Sequence, residues 1–182
     1  QTRAVEPAKL GEVALDDIAR RVVREHKLAA LARGIGVETE IGGAPVIGDA
    51  DRLRTIVDNL VSNALKYAPR GGAIRVRVKN DGNFVRLEVI DNGPGVDRDE
   101  RERIFESFYQ GKAPPGGRVK GSGLGLAIAR DYALAHGGRI EVRDRADGHR
   151  GACFRLTLPL ASSVVAPTVQ GAPTSIPVAS PK

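Results

Sequence analysis

The sequence has a single cysteine in 182 residues. Cys153 therefore has no partner for an internal disulfide, a multi-cysteine zinc site is excluded, and the lone thiol fits a reducing compartment. No apolar run reaches about 18 residues, so no stretch is expected to cross a membrane as a helix. The opening Gln1–Glu6 does not read as a signal peptide. The three histidines, at 26, 136 and 149, are far apart and show no zinc-ligand spacing. Aromatic residues make up only 4% of the chain, which makes any local cluster of them informative. Acidic residues are outnumbered 22 to 28 by Lys and Arg, leaving a net charge of +6.

Against these scarcities stand 41% hydrophobic and 27% charged residues, enough apolar material for one globular core. Residues 1–10 read as an incoming segment. Leu15, Ile18, Ala19, Val22 and Val23 recur at helical spacing and predict an amphipathic helix from Leu15 to about Ala32, with Asp16 or Asp17 near its start. Gly36–Ile41 alternates apolar and charged residues as a half-exposed strand does, and Val46-Ile47 follows the Gly42–Pro45 turn as a short strand. Asp49 can cap a second helix whose stripe runs Leu53, Ile56, Val57, Leu60, Val61, Ala64, Leu65 and stops before Pro69. Two strands, Ala73–Lys79 and Phe84–Ile90, flank an Asp-Gly hairpin signal. A long Gly/Pro-punctuated stretch, 93–121, contains one short helical piece from Arg98 to about Phe105 and has the length of a functional loop. A third helix is predicted from Gly123 to about His136, then strands Arg139–Arg143 and Cys153–Leu158. From Ala161 to Lys182 only Lys182 is charged, and this stretch reads as a disordered tail. No repeat is visible. These elements predict an α+β fold, a mixed and mostly antiparallel sheet against three helices in a two-layer α/β sandwich.

Four segments carry chemistry. Asn59, Asn63, Lys66 and Tyr67 lie along one side of the second helix. A carboxamide oxygen is a hard neutral ligand for Mg²⁺, and a lysine one turn on is a point charge for a phosphate. Ordinary surface polarity explains the same residues equally well. Asp91-Asn92-Gly93-Pro94-Gly95 ends a strand: a carboxylate there can accept from the exocyclic amine of adenine, and Gly93 and Gly95 allow close backbone approach. Taken singly, a strand-ending turn is the better account. Gly121-Ser122-Gly123-Leu124-Gly125-Leu126 opens a helix with exposed N–H groups and positive potential, an anion site. Its spacing is neither a dinucleotide fingerprint nor a P-loop. Arg118 and Lys120 precede it within reach of terminal phosphates. Phe105, Phe108 and Tyr109 form an aromatic cluster suited to a closing lid, or to a satellite apolar cluster beneath a loop.

In this order and spacing the four segments resemble the N, G1, F and G2 boxes of sensor histidine kinases, over about Leu10 to Leu160. The resemblance implies the ATP-binding catalytic domain of a two-component kinase over 11–160, with the Bergerat (GHKL) fold shared by gyrase, Hsp90 and MutL. It implies Mg²⁺ on Asn63, adenine on Asp91, phosphate contact from Lys66, Tyr67 beside the nucleotide and Phe154 beneath the adenine. Glycines 121, 123 and 125 would form the hinge of an ATP lid spanning about 96–120. It further implies ATP and Mg²⁺ as cofactors. The implied partners are an upstream dimerisation and phosphoacceptor domain, of which residues 1–10 would be the continuation, and a response regulator. The chain would be a soluble, monomeric, cytoplasmic fragment of a membrane-bound homodimeric sensor in the inner membrane.

Two departures accompany the resemblance. No phosphoacceptor motif precedes the domain, and His26 reads as a solvated residue of the first helix, so no catalytic residue is assigned within the chain. Asn59 stands where the gyrase-like ATPases carry a water-activating Glu, which favours a kinase over a GHKL ATPase or clamp. A degenerate nucleotide-binding docking module is a further alternative. Arg75, Arg77 and Lys79 share one face of a strand and form a basic patch, but a solvated sheet edge or a regulator-docking face accounts for it, and no nucleic-acid partner is expected.

Overall fold

The computed structural model describes residues 9–111 and 121–163. Three helices, α1 (Leu15–Ala32), α2 (Ala50–Tyr67) and α3 (Gly125–Ala135), cover one face of a five-stranded sheet. Its strands are β2 (Gly36–Ile41), β4 (Ala73–Asp81), β5 (Phe84–Asp91), β6 (Arg139–Arg143) and β7 (Cys153–Pro159), in spatial order β2-β4-β5-β7-β6. The β2–β4 pair is parallel and every other pair in this sheet is antiparallel. A separate antiparallel pair joins β1 (Gly11–Ala14) to β3 (Pro45–Gly48). The expected two-layer α+β architecture is observed.

Helix α2 is the centre of the core. Its stripe, Leu53, Ile56, Val57, Leu60, Val61, Ala64 and Leu65, is buried without a break, and each larger side chain contributes ~1.5–3 kcal/mol by leaving water. Asp49 caps the helix, accepting from the N–H groups of Asp51 (3.0 Å) and Arg52 (3.1 Å). At the far end the Arg33 guanidinium donates to the carbonyls of Leu65 and Ala68, which no helical N–H can reach. Facing the stripe are the inward residues of the sheet, Ile74, Val76 and Val78 from β4, Val85, Leu87 and Val89 from β5, and Phe154, Leu156 and Leu158 from β7, all buried.

The outward face of the sheet is charged, and along its central row the charges alternate, whereas in the next row Lys79 stands opposite Arg86. Glu40, Arg77, Glu88, Arg155 and Glu141 stand directly opposite one another across all five strands. Arg77 pairs with Glu40 (2.8 Å) and Glu88 (3.4 Å), and Arg155 with Glu88 (2.6 Å) and Glu141 (3.8 Å). Arg75 pairs with Glu38 at 2.7 Å. The strand that reads as a basic edge is therefore an interior strand, because β2 returns to pair beside it.

Other differences have local causes. The incoming segment already forms β1 at Gly11, and Lys9 N–H donates to Asp49 at 3.0 Å. No side chain caps α1: Ala14 holds the N-cap position, and Asp16 instead accepts from Ala44 N–H and pairs with Arg20. The piece expected as a helix over Arg98–Phe105 is only a 3-10 turn, Arg103–Phe105. Its residues before Ile104 offer no apolar stripe, and Arg101 folds back onto the Val96 carbonyl (3.1 Å) and Asp144 (2.5 Å). Helix α3 starts two residues later than expected because Gly123 is in the left-handed region (φ +70°), tight against the Phe108 backbone. β4 runs on through Asp81, leaving Gly82-Asn83 as the hairpin turn. Ala161–Ser163 forms a 3-10 turn, and the rest of the expected tail lies outside the described residues. His26 is only partly solvated: its Nε2 lies 2.8 Å from Asp58, joining α1 to α2.

Gly48 offers a test of this packing. A Cβ there would lie 2.6 Å from the His136 ring and 2.8 Å from Leu53, whereas at Gly11 it would meet nothing within 4 Å. Gly48→Ala is expected to lower stability by ~1–3 kcal/mol and Gly11→Ala to leave it nearly unchanged, as read by urea denaturation of both variants.

Candidate functional site

The strand pairing that builds the core also opens a cleft. Where β5 ends and β7 begins, between these two strand tips, α2 and the start of α3, lies a cavity of about 470 Å³. Its lining includes Asn59, Asn63, Lys66 and Tyr67 from α2, Asp91 and Gly95 from the end of β5, Gly121, Ser122, Gly123, Gly125 and Leu126 at the start of α3, and Phe154 from β7. Four segments separated by up to 95 positions thus converge on one site. Gly93 and Leu124 stand just behind the lining, and Arg118 and Lys120 lie outside the described residues.

Asp91 is 2% exposed. Its Oδ1 accepts from Gly93 N–H (2.8 Å) and Ala152 N–H (3.4 Å), which leaves Oδ2 as the acceptor for a ligand. Burial raises its carboxyl above the ordinary aspartate value, while the two N–H donors and the Arg145 charge pull the other way. Gly93 is needed for a reason beyond close approach to a base: a Cβ would sit 2.6 Å from the Tyr67 carbonyl. Asn92 turns away from ligand duty, its Oδ1 accepting from Ala73 N–H at 3.0 Å.

On the opposite wall, burial lowers the Lys66 pKa and, helped by Glu100, raises that of Tyr67. The Lys66 ammonium lies over the Tyr67 ring, 5.6 Å from its centroid, and 3.2 Å from where a Gly121 Cβ would be. Asn59 has a structural partner, its amide donating to the Gly125 carbonyl at 2.9 Å and so tying α2 to the first turn of α3. Asn63 carries a carboxamide in the cleft with no such partner among the described residues. Among the described residues no group of three or more His, Cys, Asp and Glu could hold a metal. The donor set therefore suits an ion that takes most of its oxygens from ligand and water, as Mg²⁺ does.

The aromatic cluster divides by burial. Phe105 is buried and meets Phe154 edge-on, 6.3 Å between centroids, so it backs Phe154, the aromatic that lines the cleft. Tyr109 donates to Glu100 at 2.9 Å in the cleft wall, and Phe108 is 73% exposed in a left-handed backbone conformation. Sequence reasoning missed Ser62, Glu100, Ile104, Gln110 and Ala152 in the lining. Ser62, Ile104 and Gln110 lie within stretches already singled out, whereas Glu100 carries no local signal. Cys153, 5% exposed, is a buried thiol, its pKa pushed up to about 11 by burial.

A two-layer α/β sandwich with a cleft over its strand tips, a buried acidic residue and a glycine-flanked helix start has the form of a small-molecule-binding domain. Comparison with known sequences is in accord: residues 48–162 match the family described as histidine kinase-, DNA gyrase B-, and HSP90-like ATPase, and the chain belongs to that family. It is similar to the sensor-like histidine kinase SenX3 of Mycobacterium tuberculosis, 36% identical over 149 residues, covering 81% of this chain and 36% of the relative. It is also similar to the sensor histidine kinase GlrK of Escherichia coli, 35% identical over 83% of this chain and 31% of the relative. The chain thus spans about a third of the length of these relatives. Among solved structures, a mycobacterial sensor histidine kinase, MprB, superposes with a TM-score of 0.71 at 32% identity, covering 83% of this chain and 97% of that one. Full-length ShkA in complex with AMPPNP superposes with a TM-score of 0.72 at 33% identity, covering 87% of this chain and 32% of that one.

The buried carboxylate has a stability consequence. Because burial raises its folded pKa, ionised Asp91 is a cost to the folded state above that pKa, relieved as the pH falls through it. Asp91→Asn, which can still accept from Gly93 and Ala152, is expected to melt higher than the parent at pH 7. The gap should close as the pH approaches about 4, the ordinary aspartate range, in thermal melts recorded across pH.

Proposed function

We propose that this chain is the ATP-binding catalytic domain of a sensor histidine kinase. In this reading it binds ATP with Mg²⁺ and presents the γ-phosphoryl group to a histidine elsewhere in the full-length protein, from which it passes to a response-regulator aspartate. The observation that carries the reading is Asp91: a carboxylate buried in an apolar-floored cleft, with one oxygen held by two N–H groups and the other left to accept from an adenine amine. Guanine offers a carbonyl at that position and would set acceptor against acceptor.

The remaining roles follow from placement. The α3 N-terminus and the Gly121–Gly125 backbone supply N–H groups and positive potential to the phosphates, with Lys66 beside them. Asn63 would hold Mg²⁺, which supplies charge neutralisation at the phosphates. Phe154, backed by Phe105, lies under the base, and Tyr67 flanks it. Catalysis by such a site is positioning and electrostatics rather than covalent chemistry. The alternative of a self-sufficient ATPase is disfavoured by Asn59, which is neutral and already bonded to Gly125. The dimerisation helices, the membrane-bound homodimer with this domain on its cytoplasmic side, and the regulator partner belong to the same proposal.

Calorimetric titration tests it. A non-hydrolysable ATP analogue should bind with a Kd in the roughly micromolar range, more tightly with Mg²⁺ than without. Asn63→Ala should remove most of the Mg²⁺ dependence, and Asp91→Asn should weaken binding at least about tenfold, the scale of a lost charge-assisted hydrogen bond. GTP should fail to compete. A folded chain that binds neither nucleotide, or binds both equally, would overturn the reading.

A further inference from the structure

The β6–β7 loop carries a charged group that the proposed chemistry does not use. Arg145 leaves β6 and runs back beneath the end of β5, its side chain only 15% exposed. Its Nη1 donates to the Asp91 backbone carbonyl at 3.3 Å. The guanidinium is gripped from behind by Asp147, with Nε to Oδ1 at 3.0 Å and Nη2 to Oδ2 at 2.5 Å. Asp147 is itself set by the turn, its Oδ1 accepting from His149 N–H at 3.2 Å. Gly151 makes the approach possible: a Cβ there would lie 2.0 Å from the Asp91 carbonyl oxygen and 2.9 Å from Arg145 Cδ, and its φ of +139° suits glycine. The next residue, Ala152, donates to the Asp91 carboxylate and accepts from Asp91 N–H at 3.0 Å. The loop therefore holds the aspartate by its N–H, its carbonyl and its carboxylate.

We propose that Arg145, clamped by Asp147, is a positioning residue for base recognition: it fixes the end of β5 and supplies the positive charge behind the Asp91 carboxylate. This rests on the reading that Asp91 accepts from the adenine amine. The charge matters because burial works against the ionised form that acceptance requires. The other titratable groups around Asp91 are Lys66 and Tyr67 from α2, Glu100 from the 97–111 segment and Cys153 from β7. Of the charged side chains among the described residues, Arg145 is the one that acts on the Asp91 carboxyl. The Arg145–Asp147 pairing holds the Asp147 carboxyl down at about 2, so the clamp persists throughout the range in which Asp91 titrates.

The test is the affinity of this chain for an ATP analogue as a function of pH, in the parent and in Arg145→Gln, Arg145→Lys and Asp91→Asn. A purine ribonucleoside triphosphate lacking the 6-amine serves as the reference ligand. In the parent, ATP-analogue affinity should fall on acidification, as the raised Asp91 carboxyl takes up its proton. Arg145→Gln should weaken the ATP analogue roughly threefold to tenfold at neutral pH, move the acid fall to higher pH, and leave the amine-free nucleotide unchanged. Arg145→Lys should restore the pH profile. Should Arg145→Gln not fold, Asp147→Asn, which frees the guanidinium but keeps its charge, should weaken the ATP analogue with less movement of the pH profile. If Asp91→Asn loses the preference for the 6-amine while the Arg145 and Asp147 variants match the parent at every pH, the positioning role is overturned and the base-reading role stands. If Asp91→Asn keeps the preference, both are overturned.

Discussion

Everything in this domain depends on the rotational setting of α2. One side of the helix is buried without a break, from Leu53 to Leu65, and the helical period leaves no freedom in where the rest points. Once the stripe is seated on β4 and β5, Asn59, Asn63, Lys66 and Tyr67 face the cleft over the strand ends. The energy that orients the site is thus the energy of the core, and the site residues themselves need contribute none of it. The two ends of α2 are secured independently, by Asp49 at the start and Arg33 at the finish. Axial sliding is resisted as well as rotation.

The second wall has a different logic. Asp91 is costly to bury, and the structure surrounds it with devices that make the burial tolerable: N–H groups from Gly93 and Ala152, the Arg145 guanidinium beneath, and glycines where any Cβ would collide. Such a carboxylate is held ready rather than relaxed. Stability is spent at a point where a ligand can return it, the usual arrangement at functional sites.

Much of this was legible in the sequence, and what was not has common causes. The α2 stripe, the Asp49 cap and the Asp-Gly hairpin are local patterns, and all three fall where they were expected. The convergence of Asn63, Asp91, Gly123 and Phe154 is not local, and the residues alone left each open to a bland account; it was their order and spacing that made them specific. Three things stayed hidden because they are pairwise across long separations. The partner strand that turns β4 into an interior strand lies some 37 residues away in sequence, as with Arg75 and Glu38. His26 meets Asp58 across 32 residues. Arg145 reaches Asp91 across 54, from the loop between two expected strands. The 98–105 segment failed differently, since its charge density lacks the apolar stripe a helix needs.

The outward face of the sheet bears on how the molecule meets others in solution. Read as a strand, β4 carries three cations in a row; read across the sheet, Arg77 and Arg155 alternate with Glu40, Glu88 and Glu141. Seen from a distance such a row is a chain of opposed dipoles with little monopole. Its potential decays faster than that of a cationic patch, and salt extinguishes what survives within about 8 Å. The next row is cationic, with Lys79 opposite Arg86 and Arg139 across Thr157 from it, so the pull of this face on a polyanion comes from there and not from the centre. The centre of the sheet is thus left electrically quiet for encounters governed by shape, and long-range attraction on this face is confined to the cationic row toward the β4–β5 hairpin.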